Sequence, residues 1–177
     1  MRAGRWLCVG MVCWVCSSCF LEPFTGSEVV LEVGTASLAA GDIANRSDEH
    51  YALYTVMDES GSLIQVEEFT IDAQLNALSY PEGEAIGVAN RPAPTGQPEG
   101  GITIRSEANL SRAVGVLLSI ERNDDTDPAP DTVVGRGELM PGNRSVLFGV
   151  IEGSVPRVGG GESELVNSRV AIILDEA

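Results

Sequence analysis

AVGVLLSIE, residues 113–121, decides the fold class. Val114, Val116, Leu118 and Ile120 fall on one side of the chain. Ala113, Gly115, Leu117, Ser119 and Glu121 fall on the other. A repeat of two belongs to a strand, whose successive side chains point to opposite faces; a helix repeats every 3.6 residues. The unbroken apolar side predicts a core strand.

Working outward, the same reading recurs. EVVLEVG (28–34) alternates Val29, Leu31 and Val33 with Glu28, Val30 and Glu32. YALYTVM (51–57) and SLIQVEEFTI (62–71) flank Asp58-Glu59-Ser60-Gly61, where glycine supplies a positive φ, and predict a hairpin. In the second run Ile64 and Val66 share one parity while Phe69 and Ile71 share the other. A one-residue slip sends side chains to the wrong face unless a residue is inserted, so a β-bulge is expected near Glu67-Glu68. Residues 102–105 form a short strand. Residues 132–140 and 145–152 pair across Pro141-Gly142-Asn143. Residues 165–174 close the chain with Val166, Val170, Ile172 and Leu174 on one face.

Between these lie weaker segments. Residues 38–45 read as a short strand or a turn, and 72–78 as one helical turn. Residues 79–101 carry Pro81, Pro92, Pro94 and Pro98 and read as a long loop interrupted by a strand over 85–89. Such a loop is a place to expect a partner surface. Residues 123–131 and 153–164 read as loops, the latter around Gly159-Gly160-Gly161. Eight or nine short strands without a long amphipathic helix predict an all-β domain. The architecture expected is an antiparallel β-sandwich of Ig-like or Greek-key type, with a small barrel as the alternative. Val114, Val116, Leu118, Ile120, Val170 and Ile172 are the expected core.

The first eighteen residues follow a different logic. Arg2 and Arg5 precede an apolar run over 6–15, and the small pair Ser17-Ser18 follows. That order is the pattern of a secretory signal peptide, and its apolar run is shorter than the roughly 20 residues that span a bilayer. Cys16-Ser17-Ser18-Cys19 resembles the lipobox of bacterial lipoproteins, with Cys16 where that family usually has Leu. The resemblance is confined to this leader. It implies cleavage before Cys19, lipid on the Cys19 sulfur and acylation of the new N-terminus, hence a partner membrane reached through lipid on Cys19. Several acyl chains make a durable anchor where one binds only marginally. The residue after the cysteine, Phe20, is of the kind that in this family permits passage to the outer membrane. The organisation expected is a signal peptide (1–18), a tether (19–27) and a single β-domain (28–177), placed in the bacterial cell envelope.

Composition narrows the chemistry. All four cysteines, Cys8, Cys13, Cys16 and Cys19, lie in the leader or at its cut, so the domain has no disulfide framework. The chain has no lysine, and its formal charge is −15. Acidity on this scale disfavours nucleic acid and anionic headgroups as partners. Without Lys there is neither a Walker phosphate loop nor a Schiff base. One histidine, His50, and no cysteine past the anchor leave no His/Cys zinc site. His50 follows the polar run Arg46-Ser47-Asp48-Glu49 and reads as a solvated side chain before a strand. Asn123-Asp124-Asp125-Thr126-Asp127 alternates oxygen ligands as a calcium loop does. Pro128 stands where that loop needs glycine and Val134 where it needs the bidentate Glu, which rules out the EF-hand form but leaves open a looser site between strands. No catalytic, cofactor or metal residue is assigned. The reading is a non-catalytic binding or structural module with an envelope protein or glycan as partner. Its rivals are a carboxylate-dependent glycan hydrolase and a secreted, unanchored adhesin or inhibitor domain.

Overall fold

The computed structural model describes residues 27–32, 48–58, 60–72, 76–88, 101–142, 145–157, 159–165 and 168–174. Cys19, the leader, most of the tether, residues 38–45 and the loop 89–100 lie outside the described residues.

Every regular element described is a strand: β1 (Ser27–Glu32), β2 (Glu49–Met57), β3 (Leu63–Ile71), β4 (Asn76–Ser79), β5 (Ala85–Val88), β6 (Gly101–Ser106), β7 (Ala113–Arg122), β8 (Thr132–Glu138), β9 (Met140–Pro141), β10 (Val146–Pro156), β11 (Glu162–Glu164) and β12 (Ser168–Leu174). All pairings are antiparallel, and the path runs β10-β12-β1-β6-β5-β4-β3-β2-β7-β8. The path then returns on itself. β8 pairs with β10 through Glu152↔Arg136 and Gly153↔Gly135, closing a ten-stranded barrel. The expected sandwich is therefore replaced by its barrel alternative. Both architectures give each strand one dry and one wet face, so alternation alone does not separate them.

Closure is a backbone event, made possible by glycine on both sides of the seam. A Cβ on Gly137 would lie 2.6 Å from the Val150 carbonyl oxygen, one on Gly149 2.4 Å from that of Glu138, and one on Gly153 2.0 Å from that of Val134. Each strand's glycines face the other strand's carbonyls, and any side chain there would hold the edges apart.

The interior is filled by Val29, Tyr51, Leu53, Phe69, Ile102, Ile104, Val116, Leu118, Ile120, Ile151, Val170 and Ile172. Leu53↔Leu118 and Tyr51↔Ile120 sit directly opposite across β2 and β7. Residues 107–112 join β6 to β7, which are not neighbours, and their Leu110 is buried in the same core. That crossing caps the barrel at the end where β1 begins.

Val116, Leu118, Ile120, Val170 and Ile172 are buried as expected; Val114 is 45% exposed. The reason is a bulge. Val56 pairs with Gly115 and Met57 with Ala113, so Val114 is the extra residue and turns outward. The bulge expected at Glu67-Glu68 falls at Val66, skipped between the pairs Leu53↔Glu67 and Tyr54↔Gln65. Residues 76–79 form β4 rather than part of a helical turn. β10 runs on to Pro156 and pairs with β11, where a loop was expected, and only the turn holding Gly159, Gly160 and Gly161 is left of it. Ser27, assigned to the tether, belongs to β1.

Candidate functional site

β2 is buried on both faces. Its inward residues belong to the core. Its outward residues His50, Ala52 and Tyr54 are buried too, beside Ser119 and Glu121 of β7. A barrel strand normally shows one face to water, so this outer patch is the unusual feature of the fold.

Two small networks occupy it. In the first, the His50 ring stacks on Tyr80, with centroids 4.1 Å apart and 13° between planes. His50 Nδ1 is 2.9 Å from Asn123 Oδ1, and Nε2 is 3.4 Å from Glu68 Oε1. With a carbonyl oxygen opposite it, Nδ1 carries a proton and donates. The solvated His50 expected from the polar run before it is thus corrected. The ring is 3% exposed, because the turn carrying Tyr80 and the start of the 123–131 loop close over it. In the second network, Glu121 is 4% exposed and fully engaged. Tyr54 Oη donates to Oε1 at 3.2 Å, Ser119 Oγ donates to the same oxygen, and the Asp131 N–H donates to Oε2 at 3.0 Å. Burial, first, and then the neighbouring Glu121 charge push the Tyr54 hydroxyl well above the usual tyrosine range.

Glu121, Asp125 and Asp131 bring carboxylate oxygens within 4.8 Å of one another. The expected loop 123–131 therefore does gather oxygens, but around Glu121 rather than along Asn123-Asp124-Asp125. Asp125 and Asp127 are also used within the loop: the Asp127 N–H donates to Asp125 Oδ1 at 3.1 Å and the Ala129 N–H to Asp127 Oδ1 at 2.7 Å. These are the side-chain-to-backbone bonds by which Asp builds turns.

Sequence reasoning missed Tyr54, Glu68, Tyr80, Ser119 and Glu121. Ser119 and Glu121 sit on the polar side of an alternating strand, which reads as solvent-facing. The one available signal was that β2's outward residues, Ala52 and Tyr54, are themselves apolar or aromatic.

No known protein family, curated protein or solved structure matches this chain.

Proposed function

We propose that this chain is a lipid-anchored protein of the bacterial cell envelope, held by Cys19, whose barrel is a non-catalytic binding or structural module. The observation that carries the non-catalytic part is the state of the two groups best suited to proton transfer. His50 is buried between Tyr80, Asn123 and Glu68, and Glu121 spends both carboxylate oxygens on internal donors. A general acid or base must reach the proton it moves in a bound substrate. Both groups instead fasten the 123–131 loop to the barrel wall. The leader supports the anchor, and the acidic composition supports a partner other than nucleic acid. An envelope protein or a glycan fits that environment.

A second reading, a carboxylate-dependent glycan hydrolase, draws on the approach of Glu121, Asp125 and Asp131. Assaying the lipidated chain on envelope polysaccharides separates the two. The expected result is no turnover, with membrane partitioning that disappears in Cys19→Ala. Turnover abolished by Asp125→Asn or Asp131→Asn would overturn the non-catalytic reading.

A further inference from the structure

The outer wall of the barrel carries an apolar row that crosses four strands. Val30 on β1 pairs with Ala171 on β12, Ala171 with Phe148 on β10, and Phe148 with Met140 on β9. Adjoining positions on this wall add Val150 and Ile173. Phe148 is 44% and Val150 55% exposed. A shallow depression lined by Val30, Phe148, Val150, Arg169 and Ala171 runs along the row. Contiguous exposed apolar surface of this kind marks a contact with something other than water.

Arginines and carboxylates are mixed around it. In the strand register Glu28 stands opposite Arg105 and Glu152 opposite Arg136, and Glu138 lines a hollow with Met140 and Val150. Arg169 is exposed beside Val150. The acidic loop 123–131 lies at the other end of the barrel. β7 begins at the end where Ser27 Oγ donates to Ala108 O, and it runs away from there to Arg122. The end that carries β1's first residue is also where Leu174 and Ser145 meet.

The position of the row relative to the anchor names its occupant. Ser27 follows Cys19 by eight residues. An extended tether of that length reaches at most about 28 Å. Val30 is three residues further along β1. A lipid on Cys19 therefore holds the bilayer permanently within reach of this wall. We propose that the face formed by β1, β12, β10 and β9 lies against the lipid surface, with Phe148, Val150 and Met140 entering the interfacial region. This rests on the lipid-anchor reading. The acyl chains supply the durable attachment, and the apolar face fixes the barrel's orientation at the surface.

The test uses the mature lipidated chain. Its Cys19 sulfur is blocked, so a single added cysteine is the only free thiol. Val150→Cys and, on nearly the opposite wall, Gln65→Cys are each labelled with an environment-sensitive dye and reconstituted at low density in phosphatidylcholine vesicles. The expected result is a blue shift at position 150 and loss of its emission to lipid-borne quenchers, with neither at position 65. Equal, water-like emission at both positions overturns the docking. A shift at 150 that grows with protein density and resists lipid-borne quenchers also overturns it, in favour of a second copy on this face. The intact mass of the purified chain, taken beforehand, reports the anchor separately: an unacylated Cys19 overturns the anchor and the docking together, whereas an acylated Cys19 with an unshifted label overturns the docking alone.

Discussion

Gly149→Ala tests the closure of the barrel. The added Cβ would sit 2.4 Å from the Glu138 carbonyl oxygen, whereas ordinary contact begins at 3.4 Å, so β10 and β8–β9 must part locally by about 1 Å. The obstacle is backbone, which has no rotamer by which to yield. Overpacking of this kind costs about 1–3 kcal/mol. Parting the strands also weakens one or two ladder hydrogen bonds, each contributing about 0.5–1.5 kcal/mol. The expected loss is about 2–5 kcal/mol. The two tryptophans, Trp6 and Trp14, both fall within residues 1–18, so a chain that starts at Cys19 reports unfolding through Tyr51, Tyr54 and Tyr80. Tyrosine fluorescence during urea unfolding should show a midpoint lower by about 1–2.5 M, taking a slope near 2 kcal/mol per M. Gly159→Ala, at a turn where nothing lies within 4 Å of the new methyl, should cost only the strain of its positive φ, about 1–2 kcal/mol. If Gly149→Ala stays within about 0.5 kcal/mol of the parent, the seam is not closed and the reasoning fails.

Leu118→Ala removes the centre of the β2–β7 core layer and should cost about 2–5 kcal/mol by the same urea assay. Glu121→Ala strands the Tyr54 hydroxyl, the Ser119 hydroxyl and the Asp131 N–H and should cost about 2–4 kcal/mol; Glu121→Gln, which keeps the acceptor oxygen, should lose clearly less. The Tyr54 hydroxyl is raised from 10.0 by burial and then by Glu121. The unfolded chain therefore releases this proton first, and the stability tied to Tyr54 is complete below pH 10 and is lost as pH rises towards the folded value. Alkaline unfolding followed by circular dichroism should begin above about pH 10 and be blunted in Tyr54→Phe. His50→Ala should lower stability by about 1–3 kcal/mol through the lost stack on Tyr80 and the lost hydrogen bond to Asn123 Oδ1; an unchanged midpoint would return His50 to the solvated role read from sequence.

The strands were legible because period two survives in a single sequence. Residues 113–121 and 165–174 carry it, residues 51–57 were legible from their β-rich composition because both sides of that run are apolar, and the parity slip after Val66 announced the bulge. The closure was not legible. It depends on which edges meet, and its only trace is glycine at 135, 137, 149 and 153, a residue that also marks turns. Val114 was misplaced because the bulge shows only against β2: Val114 is the residue of β7 with no opposite number there, which periodicity within β7 does not reveal. β11 was missed because three residues beside a triglycine turn are too short to show a repeat. At the candidate site, polar residues on an alternating strand carry the same signature whether water or another loop covers them. His50 and Glu121 read as solvent-facing until the Tyr80 turn and the 123–131 loop were seen lying on them. The acidic loop was found, but its use of Asp125 and Asp127 to shape its own backbone is a matter of local geometry that composition does not reveal.

The anchor on Cys19 is the claim on which the proposed function depends, and the mass of the mature N-terminus tests it most directly. The full chain is expressed in a bacterium, and the N-terminal peptide of the envelope fraction is then analysed by mass spectrometry. The account predicts a chain that starts at Cys19 and carries acyl lipid. An N-terminus at any other residue, or a bare Cys19 thiol, contradicts it.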